Sequence, residues 1–286
     1  MKRIGRARNA VVVLGVVLAA AACSSDDEPA TAADPPPVGM VPQLVSMSGQ
    51  ALPLEPYTMQ PDAYAKILGA RERLVVQCMS RSGFDLEFPR GTGEVLRTKS
   101  EMRYVKSPED AAAYGYHSPG DVSEPEDEPE LTAAEGTALY GEDAAGGCFA
   151  EVDAGLDERG VLIQDDELVR TISLEGVQES LQDPRLKDAF VQWSACMKEQ
   201  GYVYGSPLDA MNDPRWEATE VADALEISTA VADSECMGKT NAVGIWFAVE
   251  SAYQKRKIEA NFEKLEEIRH GLETSIRVAN EINLTG

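Results

Sequence analysis

Residues 61–84, PDAYAKILGARERLVVQCMSRSGF, and residues 183–202, DPRLKDAFVQWSACMKEQGY, decide the fold. Both end in Cys-Met-x-x-x-Gly followed by an aromatic residue, first at Cys78 and again 118 positions later at Cys196. In the first stretch Tyr64, Ile67, Leu68, Arg71, Val75, Cys78 and Met79 recur at three- and four-residue spacing. In the second, Leu186, Phe190, Trp193, Cys196 and Met197 do the same, so each stretch predicts a helix with one buried face. Pro61 and Pro184 suit a first helical turn, and Asp183 is a natural N-cap. Gly83 and Gly201 suit the left-handed position just past a helix end. Short extended runs follow, Phe84 to Phe88 and Tyr202 to Tyr204, each closed by a proline, Pro89 or Pro207.

Each copy has one later cysteine, Cys148 or Cys236, in a segment that reads as helical. Each unit is therefore helix, extended link, helix. Four cysteines in an oxidising compartment allow three pairings. The repeat selects Cys78 with Cys148 and Cys196 with Cys236, giving each unit its own staple. Bridges closing loops of this size constrain the unfolded chain by about 4 kcal/mol each. Zinc ligation and dithiol redox chemistry favour the closer C-x-x-C spacing, so no metal or cofactor is expected.

Between Cys78 and Cys148 lies an insertion. Ser107-Pro108-Glu109-Asp110 reads as the capped start of a short helix ending near Tyr114-Gly115-Tyr116. Residues 121–130 carry six acids and two prolines and read as a solvated loop without EF-hand spacing. Thr132 with Glu135 forms a capping box for another helix stopped at Gly141. Residues 165–182 read as a linking helix with a weak point at Gly176. The proline-free C-terminus, through Trp246, Val249, Tyr253, Leu265, Leu272 and Ile276, reads as one long helix with Gly271 as its weak point.

The N-terminus is of another kind. Lys2, Arg3, Arg6 and Arg8 precede an apolar stretch, Ala10 to Ala22, too short to span a bilayer as a permanent helix. Its end, Ala20-Ala21-Ala22-Cys23, resembles the lipobox of bacterial lipoproteins, although Ala20 stands where that family prefers leucine. The resemblance implies acylation of Cys23, and two or more acyl chains hold a protein stably on a membrane. Residues 24–60 are rich in proline, alanine, serine and aspartate and read as a disordered tether.

Removing the leader's four basic residues leaves 22 basic against 49 acidic residues, a side-chain charge of −27. Such a chain is unsuited to nucleic acid, and its protein surface is unsuited to anionic lipid headgroups. The expected fold is mainly α, with two related disulfide-stapled helical units, short extended links and a long C-terminal helix. The expected organisation is a signal peptide over 1–22, anchor and tether over 23–60, a first unit over 61–160, a linking helix with the second unit over 161–243, and the long helix over 244–286.

The duplicated motif, with its following proline and partner cysteine, resembles a class of exported actinobacterial lipoproteins that has no assigned activity. Ser107 to His117 and Gly146-Gly147-Cys148 are similar to members of that class. The resemblance implies a place on the extracytoplasmic face of the cell membrane and companionship with peptidoglycan-binding or transporter components; it carries over no catalytic residue. Independently, the sequence has no G-x-S-x-G, H-E-x-x-H, P-loop or S-x-x-K, and its only imidazoles are His117 and His270. The expected function is a non-enzymatic binding module of the cell envelope; the apolar stripe of the C-terminal helix reads first as packing on the protein's own helices and second as a coiled-coil surface for an envelope protein partner. The alternatives are a carboxylate-dependent enzyme acting on cell-wall glycan and a ligand-binding accessory of a transporter. Tyr104, Tyr114, Tyr116, Tyr140 and Trp216 are candidate sugar-stacking residues, though such aromatics are more often core.

Overall fold

The computed structural model describes residues 34–88, 107–117, 131–142 and 146–285. Cys23, Pro89, Tyr104 and the acidic run 121–130 lie outside them. Ten α-helices and no strand occur among the described residues: α1 Pro61–Arg81, α2 Pro108–Tyr114, α3 Ala133–Tyr140, α4 Gly147–Glu158, α5 Glu167–Gln182, α6 Pro184–Glu199, α7 Pro207–Met211, α8 Ala224–Thr240, α9 Ala242–Ala260 and α10 Phe262–Thr285. Short 3-10 turns sit at Glu55–Tyr57 and Trp216–Ala218.

The repeated motif forms the same local structure twice. At the end of α1, Phe84 N–H reaches back to Met79 O and Gly83 N–H to Ser80 O, both at 3.0 Å. At the end of α6, Tyr202 N–H reaches Met197 O at 3.0 Å and Gly201 N–H reaches Lys198 O at 3.1 Å. Gly83 and Gly201 take positive φ, 87° and 93°, which completes a Schellman stop with no cost from a β-carbon. The extended links therefore leave their helices in the same direction, without pairing into a sheet. Pro207 does not merely close its link; it opens α7, capped by Ser206.

Both disulfides pair as the repeat requires, Cys78 with Cys148 and Cys196 with Cys236, each with Cα atoms 5.7 Å apart. Around each lies its own apolar cluster. The first gathers Ile67, Val75 and Met79 of α1, Val152 and Leu156 of α4, and Val278, Ala279 and Ile282 of α10. The second gathers Leu186, Phe190, Trp193 and Met197 of α6, Met237 of α8, and Val243 and Trp246 of α9. Phe190 meets the Trp246 ring edge-on at 5.3 Å between centroids. Residues 35–286 nevertheless cluster as one unit, so the two staples share a single body.

Three expectations need correction. The tether stops short of residue 60, because Met47, Leu52, Leu54 and Tyr57 are buried. This segment is a strap over the helices, and side chains satisfy its backbone. Asn241 Oδ1 accepts from Leu44 N–H at 3.0 Å and Asn241 Nδ2 donates to Pro42 O at 2.9 Å. Gln254 Oε1 accepts from Leu54 N–H at 3.1 Å. Gly244 lies so close under Pro42 O that a β-carbon there would collide with it. Composition misled because it reports how little a segment can bury by itself, whereas α6, α8 and α9 supply the apolar floor under Met47 and Leu52, α5 and α10 that under Leu54 and Tyr57, and Asn241 and Gln254 the hydrogen-bond partners.

The C-terminal stretch is likewise not one helix. It breaks at Asn261, whose N–H turns to Ile258 O at 3.1 Å and whose Nδ2 donates to Lys257 O at 2.8 Å, a side-chain bond that competes with the helical ladder. The break lets α9 pack on α5 and α6 while α10 packs on α1. Gly271 is no weak point, since Leu162 packs where its β-carbon would stand, 3.0 Å away. Gly176 similarly admits Gln254 of α9 against α5.

The third correction concerns the insertion. Residues 107–117, assigned by sequence order to the first unit, dock on α8 of the second.

Candidate functional site

The docked insertion and the helix beneath it form the most chemically charged interior of the molecule. Helix α8 buries Glu226, Thr229, Ala230, Asp233, Cys236 and Met237 along one stripe, so two carboxylates stand where a helix facing a core ordinarily carries apolar residues. Both are 0 % exposed. Ser107 caps α2 by accepting from Asp110 N–H at 3.1 Å, and Ala111 is fully buried beneath it. Gly115, at φ 58°, then turns the chain down onto α8; a β-carbon there would stand 2.6 Å from Glu226 Oε1 and 2.9 Å from Ala222 Cβ. That close approach allows only glycine.

The turn aims two backbone N–H donors and one imidazole nitrogen at one oxygen. Glu226 Oε1 accepts from Tyr116 N–H at 2.7 Å and from His117 N–H at 3.2 Å, and His117 Nδ1 lies 2.8 Å from it. Glu226 Oε2 is buried with no hydrogen-bond partner. The other imidazole nitrogen, His117 Nε2, lies 2.9 Å from Thr219 O. Two helical turns further on, Asp233 Oδ2 accepts from Tyr116 O–H at 3.0 Å and Oδ1 accepts from Trp193 Nε1–H at 2.8 Å. Burial pushes the Asp233 carboxyl up to about 7, against the two donated hydrogen bonds that act to lower it. Burial, with Asp233 alongside, drives the Tyr116 phenol far above its ordinary range.

Aromatic layers close the outer side. Tyr116 stacks on Trp216 at 5.7 Å between centroids, and the Arg215 guanidinium lies 5.0 Å over the Trp216 ring. Trp216 Nε1–H donates to Ala210 O at 2.7 Å. Arg215 binds Asp213, holding that carboxyl well below the usual range, and both touch the Tyr204 hydroxyl, whose ionisation burial pushes up to about 12.

Tyr116 and Trp193 occupy both oxygens of the Asp233 carboxyl within the core. Tyr116 and Trp216, candidates for stacking on sugars, stack on each other instead. Tyr140 packs on Phe149 at 5.5 Å. A separate groove of about 300 Å³ runs along α5, lined by Thr58, Asp165, Val169, Arg170, Leu174 and neighbours. Its single carboxylate, Asp165, accepts from Met59 N–H. No group of three metal-ligating side chains occurs among the described residues.

Of the expected site residues, the structure brings the four disulfide cysteines together in pairs, while Cys23 lies outside the described residues. Sequence reasoning missed Glu226 and Asp233. The signal was present: two acids seven residues apart, with Ala230, Cys236 and Met237 on the same helical face. Comparison of the chain with protein-family models, with curated proteins and with solved structures returns no match.

Proposed function

We propose that the protein is a lipoprotein held on the extracytoplasmic face of the membrane by acylated Cys23, acting without catalysis as a binding module of the cell envelope. The observation that carries this reading is the fate of the cysteines. Four of the five close as two bridges, leaving Cys23 as the odd one for lipid. Paired staples of this kind belong to an oxidising, exported setting.

Of the two readings of the C-terminal stripe, packing on the protein's own helices is the one found. The apolar stripe of α10, Leu265, Ile268, Leu272, Ala279 and Ile282, is buried against this chain. A partner on that helix meets its outer row of Glu267, His270, Glu273, Arg277 and Glu281, a charged face suited to reversible contact.

Metabolic labelling with a fatty-acid analogue tests the anchor. The wild type should take up label and stay with membranes, whereas Cys23→Ser should be unlabelled and released. Mass analysis after alkylation without reduction should find no free thiol. An unacylated mature chain, or turnover of purified cell-wall glycan by the purified protein, overturns the reading.

A further inference from the structure

We propose that residues 107–117 form a proton-linked latch, docked on α8 while His117 is an imidazolium and Asp233 keeps its proton, and released as those protons leave.

The imidazole carries the first part. A neutral imidazole has one N–H, yet both ring nitrogens of His117 face acceptors, a carboxylate oxygen at 2.8 Å and a carbonyl oxygen at 2.9 Å. Only the doubly protonated ring donates to both. Glu226 Oε1 already accepts the backbone N–H groups of Tyr116 and His117, so it faces the ring nitrogen as an acceptor wholly removed from water. A buried charge needs a paired opposite charge. Removing the proton from His117 leaves the Glu226 charge without that partner and sets one ring lone pair against an oxygen.

Asp233 carries the second part. Its contact with Tyr116 survives protonation, because a carboxylic acid can donate to the phenol oxygen from which a carboxylate would accept. The ionised form is the costly one in a site with no water access. Undocking withdraws Tyr116 and readmits water, which favours ionisation.

Among the described residues, the surrounding charges do not cancel this effect. On the segment itself the facing groups are Tyr116 and His117; from α8 they are Glu226 and Asp233. Beyond Trp216 lies Tyr204 with the mutually neutralising Asp213 and Arg215. The Asp223 side chain is occupied at the α8 N-cap, accepting from Glu226 N–H.

The sign is the same for both groups. Each binds its proton more tightly when docked, so docking is firm in mild acid and weakens as pH rises. The Asp233 share is lost from above its ordinary value of 3.8 up to about 7. The His117 share is lost as the ring gives up its second proton and with it the donor to Glu226 or to Thr219 O. Each coupled proton can change the docking constant by up to about tenfold per pH unit within its window. Release uncovers the Trp216 face and the α8 carboxylates, an acidic aromatic surface that the latch otherwise fills.

Amide hydrogen exchange on the intact chain, corrected for the pH dependence of chemical exchange, tests this. Protection over residues 109–117 should fall at least about tenfold between pH 5.5 and 8.5, while residues 74–79 of α1 stay protected. Asp233→Asn and His117→Gln should each remove part of the dependence, and the double variant should show none. Equal protection at both pH values in the wild type, or an unchanged dependence in a folded double variant, overturns the latch. Should the double variant fail to fold, the Trp193 indole N–H resonance of the wild type decides: a titration between pH 5 and 8 supports the latch, and a flat resonance overturns it.

Discussion

The two stapled units end their first helices with the same hydrogen bonds and the same bridge spacing, yet they complete their cores from different sources. At offset 118, Met79 matches Met197 and Val75 matches Trp193, and all four are 0 % exposed. The small Val75 leaves room for α10, which returns from the far end of the chain to close the first cluster. The large Trp193 fills its own site and reaches across to Asp233 through its indole N–H. Local motif sets where a helix stops and where its cysteine points; side-chain volume at the facing position decides what packs there.

That contrast can be broken at the matched position. Trp193→Ala should cost about 5 kcal/mol, combining a large cavity with a lost donor to a buried carboxyl, while Val75→Ala should cost about 2 kcal/mol. Denaturant unfolding of both variants checks the ratio, and equal losses would show that the units are energetically interchangeable. Removing a bridge should nearly erase the difference between units. Cys78→Ser with Cys148→Ser, and Cys196→Ser with Cys236→Ser, should each cost about 4 kcal/mol, the longer loop slightly more. Thermal unfolding of the two double variants under oxidising conditions makes that comparison. The smallest effect sharpens the likeness. An alanine at Gly83 or Gly201 meets nothing within 4 Å, so only the left-handed backbone resists it. Both should lose about 1 to 2 kcal/mol, equal within error, by the same unfolding measurement.

Much of the local order was legible because it is set by near neighbours. The Thr132–Glu135 capping box, the Ser107 and Asp183 caps and the positive-φ glycines at 83, 141 and 201 all form as the residues suggest. The candidate site was not legible in the same way. Tyr116 meets Asp233 across 117 positions and His117 meets Glu226 across 109, distances over which periodicity says nothing. The strap failed for the same reason, since Leu44 finds Asn241 and Leu54 finds Gln254 some 200 residues away.

Most helices, the stops at Gly83, Gly141 and Gly201, the pairing of the cysteines and the mainly helical class could be read from the residues alone, because hydrophobic period, capping and repeat register act over a few residues. Only the tertiary structure decided that 107–117 crosses to the other unit, that 34–60 is a strap, and that α9 and α10 serve different cores. Those choices depend on volume, charge burial and hydrogen-bond satisfaction between segments distant in the chain, which no local pattern encodes.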